Sequence, residues 1–129
     1  NHVAATSILL AAVFSTIASH GLKILFKRSR PIKRKELNYV GYSFPSGHST
    51  IGICFYTVLG YLMTQLYGFN PIVTIFAFML GLIVAFSRIY LSAHWTIDVL
   101  FGILLGTACT AWVIYLFDQG ADVIAWFLV

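Results

Sequence analysis

Charge is what this 129-residue chain lacks most: charged residues make up 9% of it, and only four residues are acidic. A soluble domain carries about 25% charged residues, so this chain has too few polar side chains to cover a water-facing surface. Apolar residues are abundant instead, at 60%, with a mean hydropathy of +0.89. Such a composition excludes disorder. It predicts one domain of an integral membrane protein.

Cysteine is scarce as well, with two copies that lack a Cys-x-x-Cys spacing. Cys54 and Cys109 both lie inside apolar stretches. We expect them to be small apolar core residues, and they give no information about the redox compartment.

Four stretches are long and apolar enough to cross a bilayer core, which takes about 20 residues of helix. They run from Val3 to Leu22, Ser49 to Tyr67, Pro71 to Leu91 and Ile97 to Phe117. The short alternating segments of a membrane barrel are missing, so the pattern predicts an all-α polytopic transmembrane helix bundle with four spans. Residues 123–129 could open another apolar segment.

Alternating crossings place the unusual polar residues at one membrane face. The linker from Lys23 to Gly47 holds seven of the eight basic residues. If the first span ends at that face, the tight turn at Asn70 lies opposite, and the third span returns near Arg88. Residues 23–48 and 88–98 are therefore predicted to converge.

Two cations in the basic linker suit an anion with several oxygens. Lys23 and Arg30 are seven residues apart and would share a helical face if the first helix continued to Pro31. Arginine presents a fork of donors that matches phosphate. The alternative is a juxtamembrane basic cluster that attracts anionic headgroups.

The segment that opens the second span combines capping residues with a titratable group. Ser46 or Ser49 could cap the helix, Gly47 allows close backbone approach, and His48 stands at the helix mouth as a candidate proton donor. The free N–H groups of a helix start favour an anion there. An ordinary capped helix with an interfacial histidine is the alternative.

A third cluster surrounds the start of the fourth span. Arg88 is costly at the membrane end of an apolar helix and is therefore a functional candidate. His94 and Asp98 are four residues apart, a spacing that lets the carboxylate accept a hydrogen bond from one ring nitrogen and leaves the other nucleophilic. A purely structural His–Asp pair is equally compatible with this spacing.

Together these residues resemble the three-part signature of the type 2 phosphatidic acid phosphatase superfamily. The matching parts are Lys23-x6-Arg30-Pro31, Pro45-Ser46-Gly47-His48 and Ser87-Arg88-x5-His94-x3-Asp98. The superfamily includes lipid phosphate phosphatases, glucose-6-phosphatase and the soluble vanadium haloperoxidases; the apolar composition argues against the last of these. Each part is weak alone, but all three match in order, residue type and spacing.

The resemblance implies a role for each matching residue. His94 would attack phosphorus and form a phosphohistidine, Asp98 would orient and polarise it, and His48 would protonate the leaving group and later activate water. The phosphoryl oxygens would be held by Lys23, Arg30, Ser46, Gly47 and Arg88. No cofactor or metal is expected, because four acids in the whole chain cannot form a magnesium cluster.

The function that follows from the resemblance is metal-independent hydrolysis of lipid phosphate monoesters or diphosphates. Phosphatidylglycerophosphate, phosphatidic acid and undecaprenyl diphosphate are candidate substrates, and the expected partners are lipid and bilayer rather than nucleic acid. A lipid phosphotransferase with the same site and a non-catalytic anionic-lipid-binding protein stay open as alternatives. A channel or transporter is disfavoured, because transport sites lie near the midplane.

Membrane members of the superfamily usually have six spans with the signature on the last four. We therefore expect residues 1–129 to form a single domain of this type without its two upstream spans. The resemblance places it in the bacterial inner membrane with the site at one face. Its orientation stays open, because the positive-inside rule and the outward-facing sites of bacterial relatives disagree.

Overall fold

The computed structural model of the chain describes residues 2–31 and 40–119. Three basic residues of the linker lie outside these ranges: Lys33, Arg34 and Lys35. The apolar stretch 123–129 also lies outside them.

Four long helices form the described part of the chain. They are α1 (His2–Phe26), α2 (Gly47–Tyr67), α3 (Ile72–Tyr90) and α4 (Thr96–Asp118). Each is long and apolar enough to cross a membrane. The predicted all-α bundle with four spans is confirmed, with helix ends within a few residues of the predicted ones.

The largest difference from the predicted bounds is at the end of α1. This helix continues to Phe26 and therefore carries Lys23 in its last turn. Lys27 then adopts a left-handed conformation, with φ of 46°, and the helix cannot continue through such a residue. The condition for a shared face, a first helix that continues to Pro31, is thus not met, and Lys23 and Arg30 do not share one helical face.

The ends of all four helices that carry the signature meet at one side of the bundle. Lys23 Nζ donates to the carbonyl of Pro45 at 2.6 Å, and the N–H of Ser46 donates to the carbonyl of Asp98 at 3.0 Å. The opposite turn, between α2 and α3, contains Gly68 at φ of 67°. Convergence of the polar segments at one face, predicted from counting spans, is confirmed.

Helix α2 packs against α4 through glycines that let the two backbones touch. A Cβ atom at Gly106 would lie 2.6 Å from the carbonyl oxygen of Thr50, and one at Gly102 would lie 2.8 Å from that of Ser46. The Gly-x3-Gly spacing therefore serves packing within the bundle. It also sets the position of the first turn of α2.

Close packing continues into a small apolar core. Cys54, Val58, Cys109 and Val113 are almost fully buried there together with Ala11 of α1. The predicted role of both cysteines as apolar core residues is confirmed. By contrast, large apolar side chains of α3 face outward, among them Phe76, which is 65% exposed. Such a face matches lipid rather than water.

Close helix contact predicts a large difference between two glycine substitutions. Gly106→Ala places a methyl group against the backbone of α2, which no side-chain rotation relieves, and should destabilise the protein by about 1–3 kcal/mol. Gly21→Ala is the matched control, because nothing lies within 4 Å of its added Cβ. Thermal unfolding in detergent, followed by circular dichroism, measures both variants. Equal melting temperatures for the two would contradict the packing described.

Candidate active site

Lys23 joins the end of α1 to the segment that leads into α2. Its ammonium group donates to the carbonyl of Tyr42 at 3.0 Å and to that of Pro45 at 2.6 Å. An ammonium group has three donors, and these two contacts direct the group toward the signature residues of α2. The predicted cation therefore lies at the site, fixed by backbone carbonyls.

Arg30 lies in the segment after α1 and contacts two other loops. Its Nε donates to the carbonyl of Gly41 at 3.1 Å, and its Nη1 donates to that of Ala93 at 3.1 Å. The same Nη1 lies 3.4 Å from Nε2 of His94. The guanidinium group is thus held beside Nε2 of His94, the residue that the resemblance implies to be the nucleophile.

The first turn of α2 separates the roles of three adjacent signature residues. Ser46 is fully buried and is the N-cap, with its Oγ accepting hydrogen bonds from the N–H and the hydroxyl of Ser49. Gly47 and His48 line the cavity described below. The first N–H groups of a helix have no acceptor within the helix. The capping alternative therefore describes the Ser46 side chain, whereas Gly47 and His48 face the site.

The ring of His94 is held by a backbone carbonyl. Nδ1 lies 2.7 Å from the carbonyl oxygen of Ser43, which can only accept, so Nδ1 carries the proton. Nε2 then keeps its lone pair, on the side of Arg30. Burial, with the positive charge of Arg30 next in importance, lowers the pKa of His94 to about 4, which keeps the ring neutral near pH 7.

Asp98 does not contact His94 in the way the four-residue spacing predicts. Its Oδ2 lies 3.9 Å from Nδ1 of His94, beyond hydrogen-bond distance. The carboxylate instead pairs with Arg28, at 3.1 Å, and accepts hydrogen bonds from the hydroxyl of Ser43 and the N–H of Trp95. The predicted direct bond is wrong, because the Ser43 carbonyl takes that position on the ring.

Arg88 ends α3 at the same face. Among residues 2–31 and 40–119, its Nε is buried without a hydrogen-bond partner. Its charge lies within electrostatic reach of His48, as do those of Arg30 and Lys23. The charges of three cations therefore act on the one histidine at the start of α2.

A cavity of about 470 Å³ is lined by five of these residues and by apolar side chains of α2 and α3, whereas Ser46, Arg88 and Asp98 do not line it. Its polar end contains Lys23, Arg30, Gly47, His48 and His94. Its apolar wall is formed by the side chains Ile51, Phe55, Tyr56 and Val84. Its shape suits a ligand with an anionic head and a hydrocarbon tail.

The structure also adds residues that the sequence analysis did not select. Arg28 and Ser43 both bond to Asp98, and His20 lines the cavity one turn before Lys23. His20 and Lys23 are three residues apart on α1, and this helical spacing could have suggested that His20 lies at the site. The contacts of Arg28 and Ser43 join different loops, so no spacing in the sequence indicates them.

A family model described as the PAP2 superfamily matches residues 4–121. The chain belongs to the PAP2 superfamily. This match confirms the resemblance based on the three signature segments, and it covers all four helices of the bundle.

Two relatives of this PAP2 chain are lipid phosphatases by name. It is 34% identical over 105 residues to phosphatidylglycerophosphatase B of Bacillus subtilis, covering 77% of this chain and 52% of that one. It is 35% identical over 106 residues to dolichyldiphosphatase 1 of Dictyostelium discoideum, covering 78% and 46%. The chain thus spans about half the length of these curated relatives.

A solved structure shares the fold. The crystal structure of a transmembrane PAP2-type phosphatidylglycerolphosphate phosphatase from Bacillus subtilis superposes with a TM-score of 0.78 at 32% identity. The match covers 87% of this chain and 57% of that one. The four apolar helices are therefore those of a multi-pass membrane protein of the PAP2 fold.

The environment of His94 predicts a ring that stays neutral in mild acid. Between pH 7 and 5 its ring nitrogens should keep the ¹⁵N chemical shifts of neutral imidazole, whereas an exposed histidine titrates near 6.5. Arg30→Gln should raise the pKa of His94, because it removes a cation that disfavours the imidazolium. NMR of histidine-labelled protein in micelles, assigned with His94→Gln, measures both. Half-protonation of His94 near pH 6.5 would contradict the geometry.

Proposed function

We propose that this protein is an integral membrane phosphatase that hydrolyses lipid phosphates through a phosphohistidine on His94. One observation carries the proposal: His94 donates Nδ1–H to a fixed carbonyl while Nε2, beside Arg30, belongs to a ring that lines the cavity. A histidine held in one tautomer with a cation beside its basic nitrogen is suited to attack phosphorus.

In the first step, the Nε2 lone pair of His94 attacks phosphorus as the bond from phosphorus to the lipid oxygen breaks. His48, in its protonated form, gives its proton to the departing oxygen. In the second step, water attacks phosphorus, neutral His48 accepts a proton from that water, and the P–N bond breaks. The products are the dephosphorylated lipid, inorganic phosphate and the starting ring of His94.

The cations supply the charge stabilisation that this transfer needs. Negative charge is spread over the equatorial oxygens of the transferring group. Lys23 and Arg30 line the cavity together with His48, and the charge of Arg88 also acts on His48. The N–H groups at the start of α2 add donors at Gly47. In this proposal, therefore, no metal and no cofactor takes part.

The substrate follows from the two ends of the cavity. Its polar end takes a phosphate monoester or diphosphate, and its apolar wall at Ile51, Phe55 and Val84 takes hydrocarbon. The names of the relatives include both a phosphatidylglycerophosphatase and a dolichyldiphosphatase. Phosphatidylglycerophosphate, phosphatidic acid and undecaprenyl diphosphate are accordingly the substrates to test, and the bacterial inner membrane is the proposed location.

Phosphate release by the purified protein in nanodiscs tests the proposal. With EDTA present, the wild-type protein should hydrolyse at least one of these lipids, and His94→Ala should lower kcat by about 1000-fold or more. His2→Ala is the matched control, since His2 is exposed at the other end of α1. Loss of release in EDTA would refute metal independence, and substantial turnover by His94→Ala would remove His94 from the nucleophilic role.

A trapping experiment separates the two steps. With p-nitrophenyl phosphate, whose leaving group needs little protonation, His48→Ala should still transfer phosphate to His94 but stall before hydrolysis. Rapid acid-free quenching with ³²P-labelled substrate should then show a base-stable, acid-labile phosphoprotein that His94→Gln lacks. Transfer of label to an added lipid alcohol, rather than to water, would instead identify a phosphotransferase.

A further inference from the structure

We propose that Arg28 and Ser43, which lie outside the signature, are positioning residues that connect Asp98 to the nucleophile. The inference deepens the proposed function and rests on His94 acting as the nucleophile. It assigns to Asp98 an indirect action: the carboxylate fixes Ser43, and Ser43 fixes the ring of His94.

The contacts of Asp98 support the indirect path. Its side chain is fully buried, and Oδ2 is bonded to the hydroxyl of Ser43 and, at 2.9 Å, to the N–H of Trp95. The distance of 3.9 Å from Oδ2 to Nδ1 of His94 leaves the ring without a direct bond to the carboxylate.

Ser43 is the residue through which the contact passes. Its hydroxyl donates to Asp98, and its carbonyl accepts from Nδ1 of His94 at 2.7 Å. Its N–H donates to the carbonyl of Arg28 at 2.8 Å. The residue is completely buried, and all three of its polar groups are engaged, so a shift of its side chain or backbone moves the acceptor of His94.

Arg28 closes the network from the other side. Its Nη1 donates to Asp98 Oδ1 at 3.1 Å, and its guanidinium carbon lies 5.9 Å from the centre of the Trp95 ring. The indole of Trp95 in turn donates to the carbonyl of Ser29 at 3.1 Å. A buried carboxylate is costly without a charged partner, so the ion pair with Arg28 stabilises the carboxylate that accepts from Ser43.

Kinetics of three variants test the role of Arg28. Arg28→Gln should lower kcat by about 10- to 100-fold, the effect of a small misplacement of reacting groups, with KM changed less than about threefold. Arg28→Lys should recover most of kcat, because it restores a cation. Lys27→Gln is the matched control, removing an adjacent exposed charge, and should behave as wild type.

A double-mutant cycle tests whether the residues act in one network. Arg28→Gln combined with Asp98→Asn should be no slower than Asp98→Asn alone, since both break the same connection. Ser43→Ala keeps the carbonyl but removes the hydroxyl, and should also lower kcat at nearly constant KM. Multiplicative losses in the double variant, or a loss in Lys27→Gln equal to that in Arg28→Gln, would overturn the proposal.

A spectroscopic measurement separates this proposal from the proposed function. In wild-type protein, ¹⁵N shifts should show His94 protonated at Nδ1 only; Arg28→Gln and Ser43→Ala should mix the two tautomers, while Lys27→Gln should not. If Arg28 and Ser43 only stabilise the fold, Arg28→Gln and Ser43→Ala should lower the melting temperature without mixing the tautomers of His94. That result would overturn the positioning role. If the wild-type chain releases no phosphate but its His94 is protonated at Nδ1 only, and the two variants mix the tautomers, the network is supported and the phosphatase activity is refuted.

Discussion

The buried carboxylate of Asp98 is the interaction on which the rest of the site depends. It pairs with Arg28 after α1, accepts the hydroxyl of Ser43 before α2, and accepts the N–H of Trp95 at the start of α4. Its backbone carbonyl also accepts the N–H of Ser46. One charge therefore holds together three segments from distant parts of the chain. Such a charge is stable inside the protein only because each of its oxygens has a donor.

Close helix packing gives that network a fixed frame. The glycines of α4 let α2 approach until the backbones touch, and Gly102 does so against Ser46 itself. The N-cap of α2 is thereby held against the same helix that carries Asp98. A small displacement of α2 would move Gly47 and His48 relative to His94, so the geometry of the site depends on this packing of α2 against α4.

The cations of the site are held in an unusual way for charged groups. Lys23 and Arg30 are fixed by backbone carbonyls of residues 40–45 and of Ala93, and the described carboxylate nearby, that of Asp98, pairs with Arg28. These carbonyl oxygens orient the two cations at the cavity that both line. The positive charge of Arg30, together with burial, favours a neutral His94.

The sequence by itself determined the four spans, their meeting at one face and the members of the signature. Span length and hydropathy are local properties, and alternation of crossings follows from counting. Only the tertiary structure decided the partners: His94 bonds to a carbonyl 51 positions away, and Asp98 to an arginine 70 positions away. A four-residue spacing suggested the His94–Asp98 bond, but the loop before α2 inserts Ser43 between them. Backbone carbonyls carry no side-chain signature, so the acceptor that fixes the ring of His94 is visible only when the loops are folded together.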